Sequence, residues 1–196
     1  MLNVLLAVAV GLPADTNCIW NQSTEPSRGV ISIPDSRRAT GSPRDSVSFA
    51  AGGSTVKVCY SRPSLRGRHM VGGEAVPYGR VWRTGANEAT MIHTTGHLVI
   101  AGIHVDAGTY SLYTVPGERD WEVIVNRAYM QWGHESTYTD SVRAMEVGRG
   151  RVAATRTPAP VERFTIRGEP MQRGGDANLV LEWENTRVAI PVQRMR

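Results

Sequence analysis

The chain has 196 residues, a length that fits one domain with a single sizeable core and is too short for two ordinary domains. Hydrophobic residues make up 41% and charged residues 20% of the sequence, which excludes a disordered chain and a membrane-spanning one. The net charge is +4, and no cluster of basic residues with interleaved aromatic residues occurs, so we expect no nucleic-acid partner.

The first predicted element is an apolar run from Leu2 to Leu12, within residues 1–14. Its length suits the core of a signal peptide and is far below the roughly 20 residues that a transmembrane helix needs. No Lys or Arg precedes the run, and a hydrophobic first strand is the alternative. The sequence therefore predicts a periplasmic or secreted protein without a transmembrane segment.

Residues 15–45 follow as a predicted linker or mobile arm, because they are rich in Ser, Thr, Pro, Asp and Arg and show no sustained period. Cys18 lies in this arm, and Cys59 lies in the strand-like stretch TVKVCY. In an exported protein the two could form a disulfide that closes a loop of about 40 residues, worth roughly 3–4 kcal/mol. We favour the alternative, in which Cys59 is a buried small hydrophobic residue, because Cys18 is so near a cleavage point.

Residues 46–196 carry the period-2 alternation of half-buried strands. In DWEVIVN, for example, Trp121, Val123 and Val125 share one face, and Ile124 and Asn126 lie on the other. Two later stretches are less regular: SVRAMEV favours a strand over a short helix, and NLVLEWENTRVAIPV predicts a hairpin with its turn at Glu184–Thr186. Eight to ten short strands, roughly one every 8–12 residues, predict an all-β fold, either an antiparallel β-sandwich or a jelly-roll-like barrel.

A long connection, residues 62–90, interrupts these strands. Connections longer than about 12–15 residues without secondary structure are uncommon and are usually functional or disordered. This segment has its own apolar anchors, so we predict an ordered loop that packs as a lid or wall against the sandwich. The anchors are Met70, Val71, Val76, Tyr78, Val81 and Trp82.

The same segment is rich in arginine, which binds carboxylates and phosphates through its planar fork. Arg62 and Arg83 are candidates to hold an anionic ligand or substrate, and Asn87 could orient it. Glu88 could serve as a general base. The alternatives are that Arg83 and Glu88 pair as a structural staple, and that Asn87 and Glu88 bond to the backbone of their own loop.

Other signatures of chemistry are missing from the sequence. It contains no nucleophile elbow, Walker loop or dinucleotide fingerprint, and we expect no cofactor. The histidine spacing predicts no metal site, although a mixed site of His93, His104 or His134 with Glu88 is an alternative. Trp132, in the turn MQWGH, is a candidate stacking surface for a ligand.

Six stretches together are similar to the bacterial family called domain of unknown function 2911: YSRPSLRGR, VPYGRVWRTGANEAT, AGTYSLYTVPG, WEVIVN, QWG and LEWENTRVAIPV. The resemblance covers roughly residues 43–192 and implies an exported protein. It also implies that the family's characteristic polar positions fall on Tyr60, Arg62, Arg68, Arg83, Asn87 and Glu88. Tyr60 and Arg68 are on this ground further candidates for ligand binding.

Three functions follow from these observations. The first is an exported domain that binds a small anionic or carbohydrate-like, polyhydroxylated ligand at the 62–90 segment. The second is a hydrolase or lyase in which Glu88 is the general base and Arg83 or Arg62 holds a substrate anion. The third is a structural, envelope-associated interaction domain.

Overall fold

The computed structural model describes residues 18, 23–25, 29–31, 41–131, 135–172 and 174–195. The strands are β1 (Ser23–Glu25), β2 (Gly29–Ile31), β3 (Arg44–Ala51), β4 (Ser54–Ser61), β5 (Thr90–Thr94), β6 (Leu98–Ile100), β7 (Ile103–Val105), β8 (Gly108–Val115), β9 (Asp120–Asn126), β10 (Glu146–Pro170) and β11 (Ala177–Arg194). A 3₁₀ helix (Glu135–Thr137) and a short helix α1 (Asp140–Arg143) lie between β9 and β10.

The predicted antiparallel all-β fold is confirmed. β1 and β2 form a small ladder of their own, and the other strands form one sheet in the order β3-β4-β5-β8-β9-β10-β11-β6-β7. The 25-residue strand β10 joins the two halves, because residues 146–153 pair with β9 and residues 154–170 pair with β11. The halves enclose one core in a sandwich-like arrangement.

The alternation in the sequence correctly predicts the two faces of β9. Trp121, Val123 and Val125 belong to the main core. Ile124 belongs instead to a second apolar cluster, together with Tyr113 of β8 and Tyr138. Polar and aromatic groups therefore gather on the outer face of β8 and β9, under cover of neighbouring loops.

Two local predictions are wrong. SVRAMEV begins as α1, whose acidic Asp140 and basic Arg143 suit the helix dipole and whose Val142 is buried in the second cluster. The expected hairpin turn at Glu184 is instead a kink in the continuous strand β11, since β10 pairs with β11 on both sides of it.

The cysteines do pair, contrary to the alternative that we favoured from the sequence. Cys18 and Cys59 form a disulfide with a Cα–Cα distance of 5.8 Å, in the ordinary range for disulfides. The bond ties a residue of the predicted arm to the buried end of β4. The predicted signal peptide, residues 1–14, and most of residues 15–45 lie outside the described residues.

Within the described ranges, no helix has the length and apolar character needed to cross a membrane.

Candidate functional site

The 62–90 segment is an ordered wall, held at three places. Near its start, Leu65 donates its N–H to the Glu162 carbonyl at 2.9 Å. In the middle, Val71 donates its N–H to a Glu184 carboxylate oxygen at 3.0 Å. Near its end, Trp82 donates its N–H to the Thr114 carbonyl at 2.7 Å.

The Trp82 indole also anchors the segment in the core. Its ring stacks on Trp183 with a centroid distance of 5.9 Å and meets Trp121 edge-to-face at 6.0 Å. All three rings are buried, so they pack the core and offer no stacking surface to a ligand. Trp132 lies outside the described residues.

Two of the predicted ligand-binding residues, Tyr60 and Arg62, hold β4 against β10. Arg62 donates to the Phe164 carbonyl at 3.0 Å, to the Thr165 hydroxyl at 2.8 Å and to the Asp45 carboxylate at 3.0 Å. Each of its three guanidinium nitrogens is thus engaged within the protein.

The Tyr60 hydroxyl is buried beside this arginine and accepts the N–H of Ile166 at 2.9 Å. Burial raises the pKa of Tyr60 to about 12.

Arg68, a third predicted ligand-binding residue, is exposed and closes a local turn. Its guanidinium donates to the carbonyls of Leu65 at 3.1 Å and Ser64 at 3.2 Å.

Arg83, Asn87 and Glu88 share one tight loop, residues 83–90, which we call the Arg83 corner. Thr90 closes the loop, since its N–H donates to the Arg83 carbonyl at 3.0 Å and its hydroxyl donates to the Thr84 carbonyl at 2.6 Å. Thr84 and Asn87 have left-handed backbone conformations, with φ of 56° and 63°. These two bends fold the loop back on itself, and the Arg83 and Glu88 side chains lie near enough to interact electrostatically.

The Arg83 guanidinium is the most unusual group in the corner. Its Nε is buried and has no hydrogen-bond partner among the residues that the structure describes. Burial lowers the pKa of Arg83, while the nearby Tyr113 hydroxyl and Glu88 carboxylate act in the opposite direction. The corner therefore contains a partly desolvated cation with an unused donor.

Tyr113 forms the floor of the corner on the outer face of β8. It is 1% exposed, and burial raises the pKa of its hydroxyl. The Tyr138 ring meets it edge-to-face at 4.7 Å, and the Tyr138 hydroxyl donates to Glu146 at 2.7 Å. The sequence indicated only that Tyr113 belongs to an alternating strand. Its place on the outward face of that strand, beneath a predicted long loop, is the feature that could have suggested a site residue.

A separate pocket of about 290 Å³ is lined by another part of the 62–90 segment. Its walls come from that segment, from the β8–β9 turn and from β10 and β11, through His69, Val71, Tyr78, Gly117, Glu118, Ala154, Thr155, Arg156, Glu184, Asn185 and Thr186. The sequence did not single out any of these residues as a site, because the pocket exists only where β11 kinks beside a loop that is distant in the chain.

The Glu184 carboxylate is held in place in the wall of this pocket. It accepts the N–H groups of Met70 at 3.2 Å and Val71 at 3.0 Å, and it lies 2.7 Å from Nδ1 of His69. Burial raises the pKa of Glu184, but these hydrogen bonds outweigh burial and bring the pKa below its usual value. The carboxylate is therefore ionised at neutral pH.

No group of three or more His, Cys, Asp or Glu side chains in the described part of the chain could hold a metal ion. Of the histidines considered for a mixed site, His93 contacts the Thr109 hydroxyl at 2.9 Å, and His134 lies outside the described residues.

Comparison with known proteins gives one family. Residues 42–192 match the family model described as "Protein of unknown function (DUF2911)". No curated protein and no solved structure matches the chain.

Proposed function

This chain belongs to the DUF2911 family of proteins of unknown function, and from its geometry we propose that it is an exported domain that binds a small anion at the Arg83 corner. The observation that carries the proposal is the buried Nε of Arg83, a cationic donor that has no partner in the described part of the chain. A carboxylate or phosphate group would supply that partner.

The energetics favour an anion over a neutral ligand. A buried N–H without a hydrogen bond costs about 1–3 kcal/mol, and more when the group is charged. Arginine stays protonated in proteins, so burial cannot be relieved by loss of the proton. An anion bound at the corner would offset this cost through charge-assisted hydrogen bonds from the guanidinium.

Two neighbours give the corner selectivity. Asn87 is half-buried in the same loop, and its side-chain amide can both donate to and accept from a ligand. Glu88 lies near enough to interact electrostatically with Arg83. Its negative charge should weaken the binding of highly charged anions and favour ligands with a single charge.

Export is supported by the disulfide. Structural disulfides persist in oxidising compartments and are rare in the cytosol. The bond between Cys18 and Cys59 is accordingly what a periplasmic or secreted domain would have.

Calorimetric titration with phosphate, acetate and succinate tests the proposal. We expect saturable binding of at least one of these anions by the wild type and at least tenfold weaker binding by Arg83→Met. Arg68→Met is the matched control, because it removes an exposed arginine of the same segment and should bind as the wild type does. Unchanged affinity in folded Arg83→Met would overturn the proposal, as would the absence of binding to all three anions.

Glu88→Gln separates this function from the two alternatives. If Glu88 lies beside a bound anion, removal of its charge should strengthen binding by about two- to tenfold. A general base would instead make the variant inactive towards a substrate without strengthening anion binding. A purely structural pair with Arg83 predicts lower stability and no change in binding.

If Arg83→Met does not fold, Arg83→Lys is the second variant. It keeps the positive charge but loses the planar guanidinium group, so it should still weaken binding.

A further inference from the structure

The pocket around Glu184, which we call the kink pocket, shares none of its lining residues with the Arg83 corner. Its volume of about 290 Å³ is near the lower end of the range for small-molecule sites, which begins at about 300 Å³. The pocket is therefore large enough for one monosaccharide-sized molecule.

The pocket exists because β10 and β11 separate locally. Arg156 pairs with Thr186, and Val161 pairs with Glu184, so the four β10 residues 157–160 lie opposite Asn185 alone. This stretch, TPAP, contains two prolines, which cannot donate to a ladder and are tolerated at bulges. Glu184 takes up the irregularity with a left-handed φ of 56°.

The Glu184 carboxylate is held by three hydrogen bonds, and the one from His69 also orients that imidazole. A carboxylate only accepts, so Nδ1 of His69 carries the proton that points to Glu184 at 2.7 Å. In the neutral imidazole, Nε2 is then the acceptor. The His69 side chain is 68% exposed, so this acceptor can be reached from solvent.

The pocket lining also includes a cation and an aromatic ring. Arg156 is exposed and, within the described ranges, its guanidinium makes no hydrogen bond or ion pair. Tyr78 is 43% exposed, and its ring lies directly over Gly72, where any Cβ would collide with it. Glu118 also lines the pocket and can accept hydroxyl groups, but it would repel a ligand with several negative charges.

We propose that the kink pocket binds a monosaccharide-sized polyhydroxylated molecule that carries one carboxylate. The carboxylate pairs with Arg156, a hydroxyl group donates to Nε2 of His69, and the apolar face of the ligand packs on Tyr78. This pairing of hydrogen-bonding groups with an exposed aromatic ring suits a sugar acid better than a purely apolar ligand.

Titration of the intact protein with D-glucuronate, D-glucose and acetate tests this inference by calorimetry and by two-dimensional NMR. At the kink pocket, read from the resonances of its own lining residues, we expect D-glucuronate to bind at least tenfold more tightly than D-glucose and acetate to bind most weakly; acetate bound at the Arg83 corner should leave these resonances unshifted. Resonance shifts should centre on residues 154–156 and 184–186. Equal binding of D-glucuronate and D-glucose, or no saturable binding of either, would overturn the inference.

Three variants locate the interaction. Arg156→Gln should remove the preference for D-glucuronate over D-glucose, and Tyr78→Leu should weaken both sugars by at least threefold. Arg151→Gln is the matched control, because Arg151 is an exposed arginine of the same strand that pairs with Asp120 at 3.4 Å. Both test positions are exposed, so the variants should fold. An unchanged preference in Arg156→Gln would refute the role of that charge.

The outcome is independent of the proposed function. Arg83→Met should keep the binding of D-glucuronate, because the Arg83 corner is not part of the kink pocket. Loss of D-glucuronate binding in Arg83→Met, together with unchanged binding in Arg156→Gln, would assign the sugar acid to the corner and refute the kink pocket as its site.

Discussion

Tyr60→Phe should destabilise the protein although it removes a single oxygen atom. The hydroxyl accepts the N–H of Ile166 at 2.9 Å, and both groups lie inside the main core. Phenylalanine keeps the edge-to-face contact with Phe164 but leaves this N–H buried without a partner. We expect a loss of about 1–3 kcal/mol in the free energy of unfolding at pH 7.

The pH dependence of this loss gives a second, independent signature. The Tyr60 pKa rises from 10.0 to about 12 on folding, so the folded protein keeps a proton that the unfolded chain releases. The resulting stability is complete below pH 10 and is lost as pH rises from 10 to 12. The difference between wild type and Tyr60→Phe should therefore shrink above pH 10, by about 1.4 kcal/mol per pH unit.

Urea unfolding followed by tryptophan fluorescence at pH 7, 9, 10 and 11 measures both effects. Tyr78→Phe is the control, since Tyr78 is 43% exposed and the substitution should change stability by less than about 0.5 kcal/mol. A Tyr60→Phe variant within about 0.5 kcal/mol of wild type at pH 7 would refute the hydrogen-bond argument. A difference that stays constant up to pH 11 would refute the pKa argument.

Two further predictions concern the stability of the fold. Reduction of the Cys18–Cys59 disulfide, which joins residues 41 apart, should lower the free energy of unfolding by about 4 kcal/mol. Urea unfolding with and without dithiothreitol measures this difference, and a loss under about 1 kcal/mol would contradict the prediction. Glu182→Gln should cost about 1–3 kcal/mol at pH 7, because Glu182 accepts from both Arg167 and Arg187. Those hydrogen bonds hold the Glu182 pKa below its ordinary 4.5, so the wild type should lose this stability as pH falls below that value. The free energy of unfolding should therefore fall less steeply with decreasing pH in Glu182→Gln than in the control variant Glu74→Gln, which changes an exposed residue.

Local patterns were sufficient to predict the faces of the strands, but not where the strands end. The alternation in β9 is visible in seven residues, because burial on one face is enough to produce it. β10 is harder to recognise, since its residues 157–160 contain two prolines that normally argue against a central strand. Only its pairing with a kinked β11 reconciles those prolines with a strand of 25 residues.

The kink at Glu184 also could not be recognised from its own residues, because it depends on the neighbouring strand. A left-handed residue followed by Asn and Thr is compatible with both a hairpin turn and a bulge within a strand. The choice depends on whether a neighbouring strand continues past the irregular position. In this protein β10 does continue, so residues 184–186, for which a turn was predicted, stay within β11 and form one wall of a pocket.

The candidate site could be predicted only in part, because identical side chains have different partners. Arg62 and Arg83 lie in the same arginine-rich segment, and both are among the polar positions that the family resemblance singled out. The Arg62 partners on β10 are 102 and 103 positions away, so nothing local indicated that its guanidinium is occupied. Arg83, Asn87 and Glu88 are close in sequence and lie in one loop, residues 83–90, which Thr90 closes through hydrogen bonds to the Arg83 and Thr84 carbonyls.

The same anchors explain how one segment can present two separate surfaces. Gly79 donates its N–H to the Pro116 carbonyl at 2.8 Å, between the Tyr78 side of the segment and the Arg83 corner. Trp82, three residues further on, exchanges two hydrogen bonds with Thr114 at 2.7 and 2.9 Å. Since this stretch is fixed to β8 and to the core, movement of one surface on ligand binding cannot pass to the other without breaking those bonds. Any coupling between the two sites should therefore be weak, and the effects of substitutions in them on binding should be additive.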